Sequence, residues 1–243
     1  MATSTNAYSN VMSNKTITRS SSSRIIKDIR DVLKNPLVDQ GIYYKHHETD
    51  MLKGYAMIVG PEDTPYHGGF YFFEITYPPE YPYMPPHVVF STQWNNIRFS
   101  PNFYTNGKVC LSILNTWFGE AWSSCDTVRT ILLQLKLVFT PVPLLNEPGV
   151  SLTQTECMLY SMVIEYYNID VAVCNTILKT PGYYLPFFDL FYDIVVELFH
   201  RHKSVYITKL QDTKSKCIAV TVPIYDMTTV LDYTKLLVKI ESI

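Results

Sequence analysis

Ile25, Ile26, Ile29, Val32 and Leu33 recur at helical spacing, with Arg24, Lys27, Arg30 and Lys34 on the other sides, which predicts a first helix over 24–34. Ser23 stands at its N-cap and Pro36 follows its end. Residues 1–23 are rich in Ser, Thr and Asn without apolar period, and read as a flexible tail. Four runs rich in Tyr, Phe, Ile and Val, at 42–47, 52–59, 70–76 and 87–90, read as strands. Their short links favour an antiparallel meander. Prolines at 78, 79, 82, 85 and 86 interrupt pairing before the last run.

From Phe90 to Trp122 the periodicity lapses, which predicts a long irregular loop. Helical spacing returns over 127–139 through Val128, Ile131, Leu132, Leu135 and Val138, with Asp126 as N-cap and Pro141 beyond. A helical stretch over 153–178 follows. Within 183–200, Asp189, Asp193 and Glu197 repeat every fourth position beside Leu190, Ile194, Val195 and Leu198. That pattern is an amphipathic helix packed on protein and not a bilayer span. A last helix is expected over 228–240. The chain thus reads as α+β in three parts: a tail (1–23), a core domain (24–178) and a mainly helical C-terminal extension packed on that core (179–243).

Hydrophobic content of 47% and charged content of 17% over 243 residues describe a folded protein with a substantial core. A net charge of −2 argues against bulk nucleic-acid binding. Five cysteines without a Cys-x-x-Cys pair make a disulfide framework or zinc site improbable and point to a reducing compartment, cytoplasmic or nuclear. The opening residues carry no apolar run of the kind a signal peptide needs. No cofactor or metal is implied.

The candidate chemistry lies in the irregular loop. Cys110 follows Asn102 by eight residues, with an Asn106-Gly107 turn between. A side-chain amide on a bent loop can then face a thiol on the next segment, the arrangement that holds a thioester and meets its developing charge. Between Val109 and Leu111, Cys110 also fits a small buried hydrophobe, and Asn102 also fits a residue satisfying turn backbone.

Other stretches bear on that choice. Gly60-Pro61-Glu62-Asp63-Thr64-Pro65-Tyr66-His67-Gly68-Gly69 precedes the strand at Phe70. Tyr77-Pro78-Pro79-Glu80-Tyr81-Pro82-Tyr83-Met84-Pro85-Pro86 precedes the next. With Cys110-Leu111-Ser112-Ile113-Leu114 and Trp122, the order and spacing from about Lys53 to Pro148 closely resemble the ubiquitin-conjugating (UBC) enzyme family. Thr116-Trp117 and Asn146-Glu147-Pro148-Gly149 resemble its long subgroup.

The resemblance implies the UBC fold. It also implies that Cys110 accepts ubiquitin or a ubiquitin-like modifier from an activating enzyme and passes it, with or via a ligase, to a lysine of a protein substrate. Asn102 then serves as oxyanion donor or loop brace. Glu147 stands where many members carry an acidic residue near the amine, although a plain surface glutamate reads the same. The bases Arg24, Lys27, Arg30 and Lys34 fit either a solvated helix face or a dock for the activating enzyme. Tyr83 and Ser124 fall on the loops that face ligases, and Tyr81-Pro82 matches a bond that is commonly cis. Trp117 and Trp122 read as packing residues.

The pattern is broken in places. The usual His-Pro-Asn is Ser100-Pro101-Asn102, Leu-Asp after the cysteine is Leu111-Ser112, and Ser-Pro-Ala is Ser123-Ser124-Cys125. A non-catalytic binding module acting as adaptor or decoy is the alternative reading. A hydrolytic cysteine enzyme drawing on one of the six histidines comes third.

Overall fold

A computed structural model describes residues 16–213 and 216–243. Helix α1 (Arg19–Lys34) starts before the expected residue 24 and is capped by Thr18, not Ser23. The Thr18 hydroxyl accepts the Ser21 N–H at 3.1 Å, and Ser22 donates its hydroxyl to the Thr18 carbonyl at 3.0 Å. Hydroxyls that read as a polar tail are therefore spent on the open groups of a first helical turn. The rest of the expected tail, residues 1–15, lies outside the described residues.

Strands β1 (Ile42–His46), β2 (Lys53–Val59), β3 (Phe70–Thr76) and β4 (His87–Phe90) form the expected antiparallel meander, in chain order. Neighbouring residues of a strand point to opposite faces, so Tyr71 and Phe73 leave β3 on one side and Phe72 on the other. On the first side Phe73 meets Phe103 at 5.4 Å between ring centroids, and Tyr71 meets Phe139 at 4.7 Å. This aromatic layer is the base under the cysteine segment. On the second side Phe72 stacks on Phe188 at 3.8 Å and Tyr55 on Phe187 at 4.7 Å. Phe70 through Phe73 are all fully buried for that reason. The Tyr81-Pro82 bond is cis.

Helix α2 (Val128–Leu137) is capped by Thr127, whose hydroxyl and backbone pair reciprocally with Thr130. Asp126, expected in that role, instead accepts the Ser123 N–H at 2.8 Å and closes the preceding turn. Helix α3 (Thr155–Tyr167) runs into a π-helical stretch, Asn168–Asn175. There the buried Asn168 accepts the Tyr71 hydroxyl at 2.6 Å and donates to the His67 carbonyl at 2.9 Å.

Beyond residue 178 come a short 3-10 turn (Pro186–Phe191), α4 (Tyr192–Asp212), the hairpin of β5 (Cys217–Val222) and β6 (Met227–Asp232), and α5 (Tyr233–Glu241). The helices dominate as expected. The hairpin was not expected, and it takes 228–232 from the anticipated last helix, which starts at Tyr233. Val220 and Val222 are buried while Cys217, Ala219 and Thr221 are exposed, so the period here is two. Asp193 and Glu197 lie on the exposed side of α4, opposite buried Val195, Leu198 and Phe199. Tyr206 of α4 donates to the Gly68 carbonyl at 3.0 Å. Gly68 has φ +71°, and a Cβ there would lie 2.2 Å from the Tyr206 hydroxyl, so a larger residue would be strained and would displace that tyrosine. No helix of the described residues is long and apolar enough to cross a membrane.

Candidate active site

The loop that carries Cys110 is built by small bridges. Ser100 pairs with Phe103, Phe103 with Val109, and Lys108 with Val89 of β4. Gly107, at φ +86°, closes the Asn106-Gly107 turn, where its N–H reaches the Tyr104 carbonyl at 2.9 Å. Phe103 and Val109 are buried on the aromatic base, so the turn is anchored and its two arms run side by side. Asn102 and Cys110 end up adjacent because they sit on opposite arms.

Asn102 holds Cys110 by both main-chain groups. Its carbonyl accepts the Cys110 N–H at 2.8 Å, and its amide Nδ2 donates to the Cys110 carbonyl at 2.9 Å. The amide orientation is set from the other side, where the Ser100 hydroxyl donates to Oδ1 at 3.4 Å. Ser100 also accepts the Asn102 N–H at 3.2 Å. The serine that replaces the usual histidine thus still braces the asparagine. Beyond the thiol, Thr116 accepts the Leu111 N–H at 3.0 Å and donates to the Val109 carbonyl at 2.7 Å.

Cys110 is only 3% exposed, yet it lines an open cleft with Asn102, Pro101, Arg98, Tyr104, Trp117, Asn146, Glu147 and Pro148. Cys110 is thus a recessed residue in the lining of that cleft. Glu147 follows a 3-10 turn, Pro143–Asn146, which Asn146 ties to the end of α2 by donating to the Val138 carbonyl at 2.9 Å. Asn102 and Cys110 on one loop, and Glu147 on another 37 positions beyond Cys110, therefore line one cleft. Among the described residues no histidine lines it. Trp117, read as a packing residue, is instead 42% exposed at the rim. Trp122 does pack, on Tyr81 at 5.8 Å, and donates to the Pro82 carbonyl at 2.7 Å.

A family model for ubiquitin-conjugating enzyme matches residues 24–156, more than half of the 243. The chain belongs to the ubiquitin-conjugating enzyme family. Ubiquitin-conjugating enzyme E2 Z of Homo sapiens is 43% identical over 155 residues, 63% of this chain and 43% of that protein. Ubiquitin-conjugating enzyme E2 Z of Danio rerio is 42% identical over 155 residues, 63% of this chain and 47% of that protein. The chain thus spans less than half the length of either relative. The solved structure of human ubiquitin-conjugating enzyme E2 G1 aligns at 29% identity with a TM-score of 0.44, over 51% of this chain and 98% of that one. The motifs read from Lys53 to Pro148 fall inside the family match.

The residues expected to face partners separate into two groups. Lys27, Arg30 and Lys34 are exposed along α1. Arg24 is not free: its guanidinium grips Asp28 at 2.9 Å and donates to the carbonyls of Ser124 at 2.7 Å and Asp126 at 2.6 Å. Asp28, 4% exposed, also accepts the Tyr81 hydroxyl. Arg24 is therefore a strut that ties α1 to the Ser124 loop, because a buried carboxylate needs a paired cation. Ser124 itself is exposed, and Tyr83 is 79% exposed on the loop that Trp122 fastens.

Sequence reading gave no site role to Arg98, Tyr104 or Tyr225. Tyr225 donates to Glu147 Oε2 at 2.5 Å from the turn between β5 and β6, 78 positions away. No local signal marks such a contact.

Proposed function

We propose that the chain takes ubiquitin or a ubiquitin-like modifier as a thioester on Cys110 and passes it to a substrate lysine. The reading rests on one observation above all: the recessed Cys110 is gripped by Asn102 within a cleft that Glu147 shares. Family membership supports it and brings the implied partners, namely an activating enzyme, a ligase and a protein substrate.

In the first step the Cys110 thiolate attacks the carbonyl of the activating enzyme's thioester, and that enzyme's thiolate leaves. The exchange is nearly thermoneutral, so this site supplies geometry more than driving force. In the second step a lysine amine attacks the new carbonyl, an isopeptide bond forms, and the Cys110 thiolate departs. The amine must arrive neutral, a form that about one lysine in a few thousand holds at pH 7. Glu147 orients the amine and accepts its proton as the bond forms. An asparagine carries two amide hydrogens. One braces the Cys110 carbonyl here, which leaves the other for the oxyanion.

The apolar groove between α1 and the turn after β1, lined by Ile26, Leu33, His46 and Met51 with Arg30 and Lys34 at its side, is a fitting dock for the activating enzyme. The exposed Tyr83 and Ser124 loops, fastened together by Trp122 and Arg24, suit a ligase. Five unpaired cysteines suit a reducing compartment.

Supplying activating enzyme, ATP and ubiquitin or a ubiquitin-like modifier should give an adduct that thiol reduction removes and Cys110→Ala abolishes. Persistence of the adduct in that variant would overturn the assignment. Modifier binding without an adduct across a panel of activating enzymes would favour the adaptor reading instead.

A further inference from the structure

The turn of the β5–β6 hairpin reaches the thiol cleft by two routes. Tyr225 donates its hydroxyl to Glu147 Oε2 at 2.5 Å. Its ring lies 4.3 Å from the Arg98 guanidinium, which also meets the Tyr104 ring at 4.0 Å. Among the described residues Arg98 Nε has no hydrogen-bond partner, and the two rings and a bond from Nη2 hold this cation in place. That bond runs from Nη2 to the Pro101 carbonyl at 2.5 Å, one residue from Asn102. Met227 of the same hairpin accepts the Arg98 N–H on its sulfur at 3.4 Å, and Tyr160 fixes the Arg98 carbonyl at 2.6 Å.

A single side chain from the extension therefore touches the supports of both loops that flank Cys110. The charged carboxylate gains from this donor, and such bonds are stronger than neutral ones. Burial, and then the Glu147 carboxylate, push the Tyr225 phenol well above its usual range, so it remains the donor across the working pH range. We propose that Tyr225 is a positioning residue for transfer: it fixes the Glu147 carboxylate toward the incoming amine and, through Arg98, steadies the Pro101–Asn102 turn. This inference rests on the thioester reading of Cys110 and assigns the extension a part in the second half-reaction.

The test uses the full chain, charged on Cys110, desalted and chased in single turnover with free lysine or with hydroxylamine. Hydroxylamine attacks without needing a protonated amine to be oriented. Tyr225→Phe keeps the ring on Arg98 and removes only the hydroxyl. Its thioester should discharge to lysine about tenfold more slowly, with the hydroxylamine rate changed by less than about twofold. In a Glu147→Gln background the same change should add less than about twofold, because the two side chains act through one bond. Tyr167→Phe, which removes a different hydroxyl contact to this hairpin at Thr229, should discharge as the parent does.

Equal slowing toward both nucleophiles, or an undiminished effect beside Glu147→Gln, would reduce Tyr225 to a packing residue and overturn the inference. So would a Tyr225→Phe thioester that discharges like the parent. Failure of the parent chain to charge at all would instead overturn the Cys110 reading on which this one stands.

Discussion

Replacing Asn102 with Ala separates the two tasks this side chain is placed to perform. The substitution deletes the 2.9 Å bond to the Cys110 carbonyl and the contact with Ser100, but leaves the backbone bridge from the Cys110 N–H to the Asn102 carbonyl. Loss of one such bond costs about 1 kcal/mol of stability, which lowers Tm by roughly 2–4 °C in a chain of this size. If bracing were the whole role, slackening of the loop would slow charging and discharge alike, by about fivefold for that energy. Loss of an oxyanion donor is worth about 2.7–4 kcal/mol, or roughly 10²–10³ in rate, and falls on the step that builds most charge on oxygen. Amine attack is that step: a neutral nucleophile must create a new negative charge on the carbonyl oxygen, whereas thioester exchange moves an existing charge from one sulfur to another. Asn102→Ala should therefore charge within about tenfold of the parent but discharge to lysine about 10²–10³ more slowly. Both rates are read on non-reducing gels, charging in a pulse and discharge after the activating enzyme is quenched. Equal losses in the two half-reactions would refute the oxyanion role and leave only the brace.

Two further outcomes concern the extension. Phe188→Ala removes a fully buried ring stacked at 3.8 Å on Phe72 and should cost about 3–5 kcal/mol, seen as a large drop in denaturant midpoint; a loss under about 1 kcal/mol would mean the sheet does not depend on that ring. Burial, with His202 facing it, holds the His67 imidazole below the ordinary value of 6.5. The neutral ring's contribution is complete above that value and is lost as pH falls through the lower folded value, so Tm should decline from pH 7.5 to 5.5 and decline less in His67→Gln. Identical slopes would remove His67 from the account.

The adjacency of Asn102 and Cys110 was legible because both lie within one short turn, although the amide bonds the Cys110 main-chain carbonyl where the spacing suggests that it faces the thiol. The four strands were legible for a similar reason, being adjacent in sequence and rich in β-branched and aromatic residues. Boundaries fared worse wherever a hydroxyl decided them, as with Thr18 capping α1 and Thr127 capping α2 in place of Ser23 and Asp126. The β5–β6 hairpin was hidden because Val230 and Leu231 run straight into the helical spacing of Tyr233, Leu236 and Ile240, and a short apolar run fits either period. Arg24 looked like a free base because its partners, Ser124 and Asp126, lie 100 or more positions away. Tyr225 was hidden for the same reason: distance along the chain carries no trace of proximity in space.

The two-sided burial of β3 has a practical consequence for anyone trimming this protein. Cutting the chain after α3 would strip Phe187 and Phe188 from Tyr55 and Phe72 and lay a bare aromatic patch open to water. Such a fragment would self-associate before its chemistry could be measured. A usable short version would have to be resurfaced, for example with polar residues at positions 55 and 72, and it would still lack the tyrosine that reaches over to Glu147.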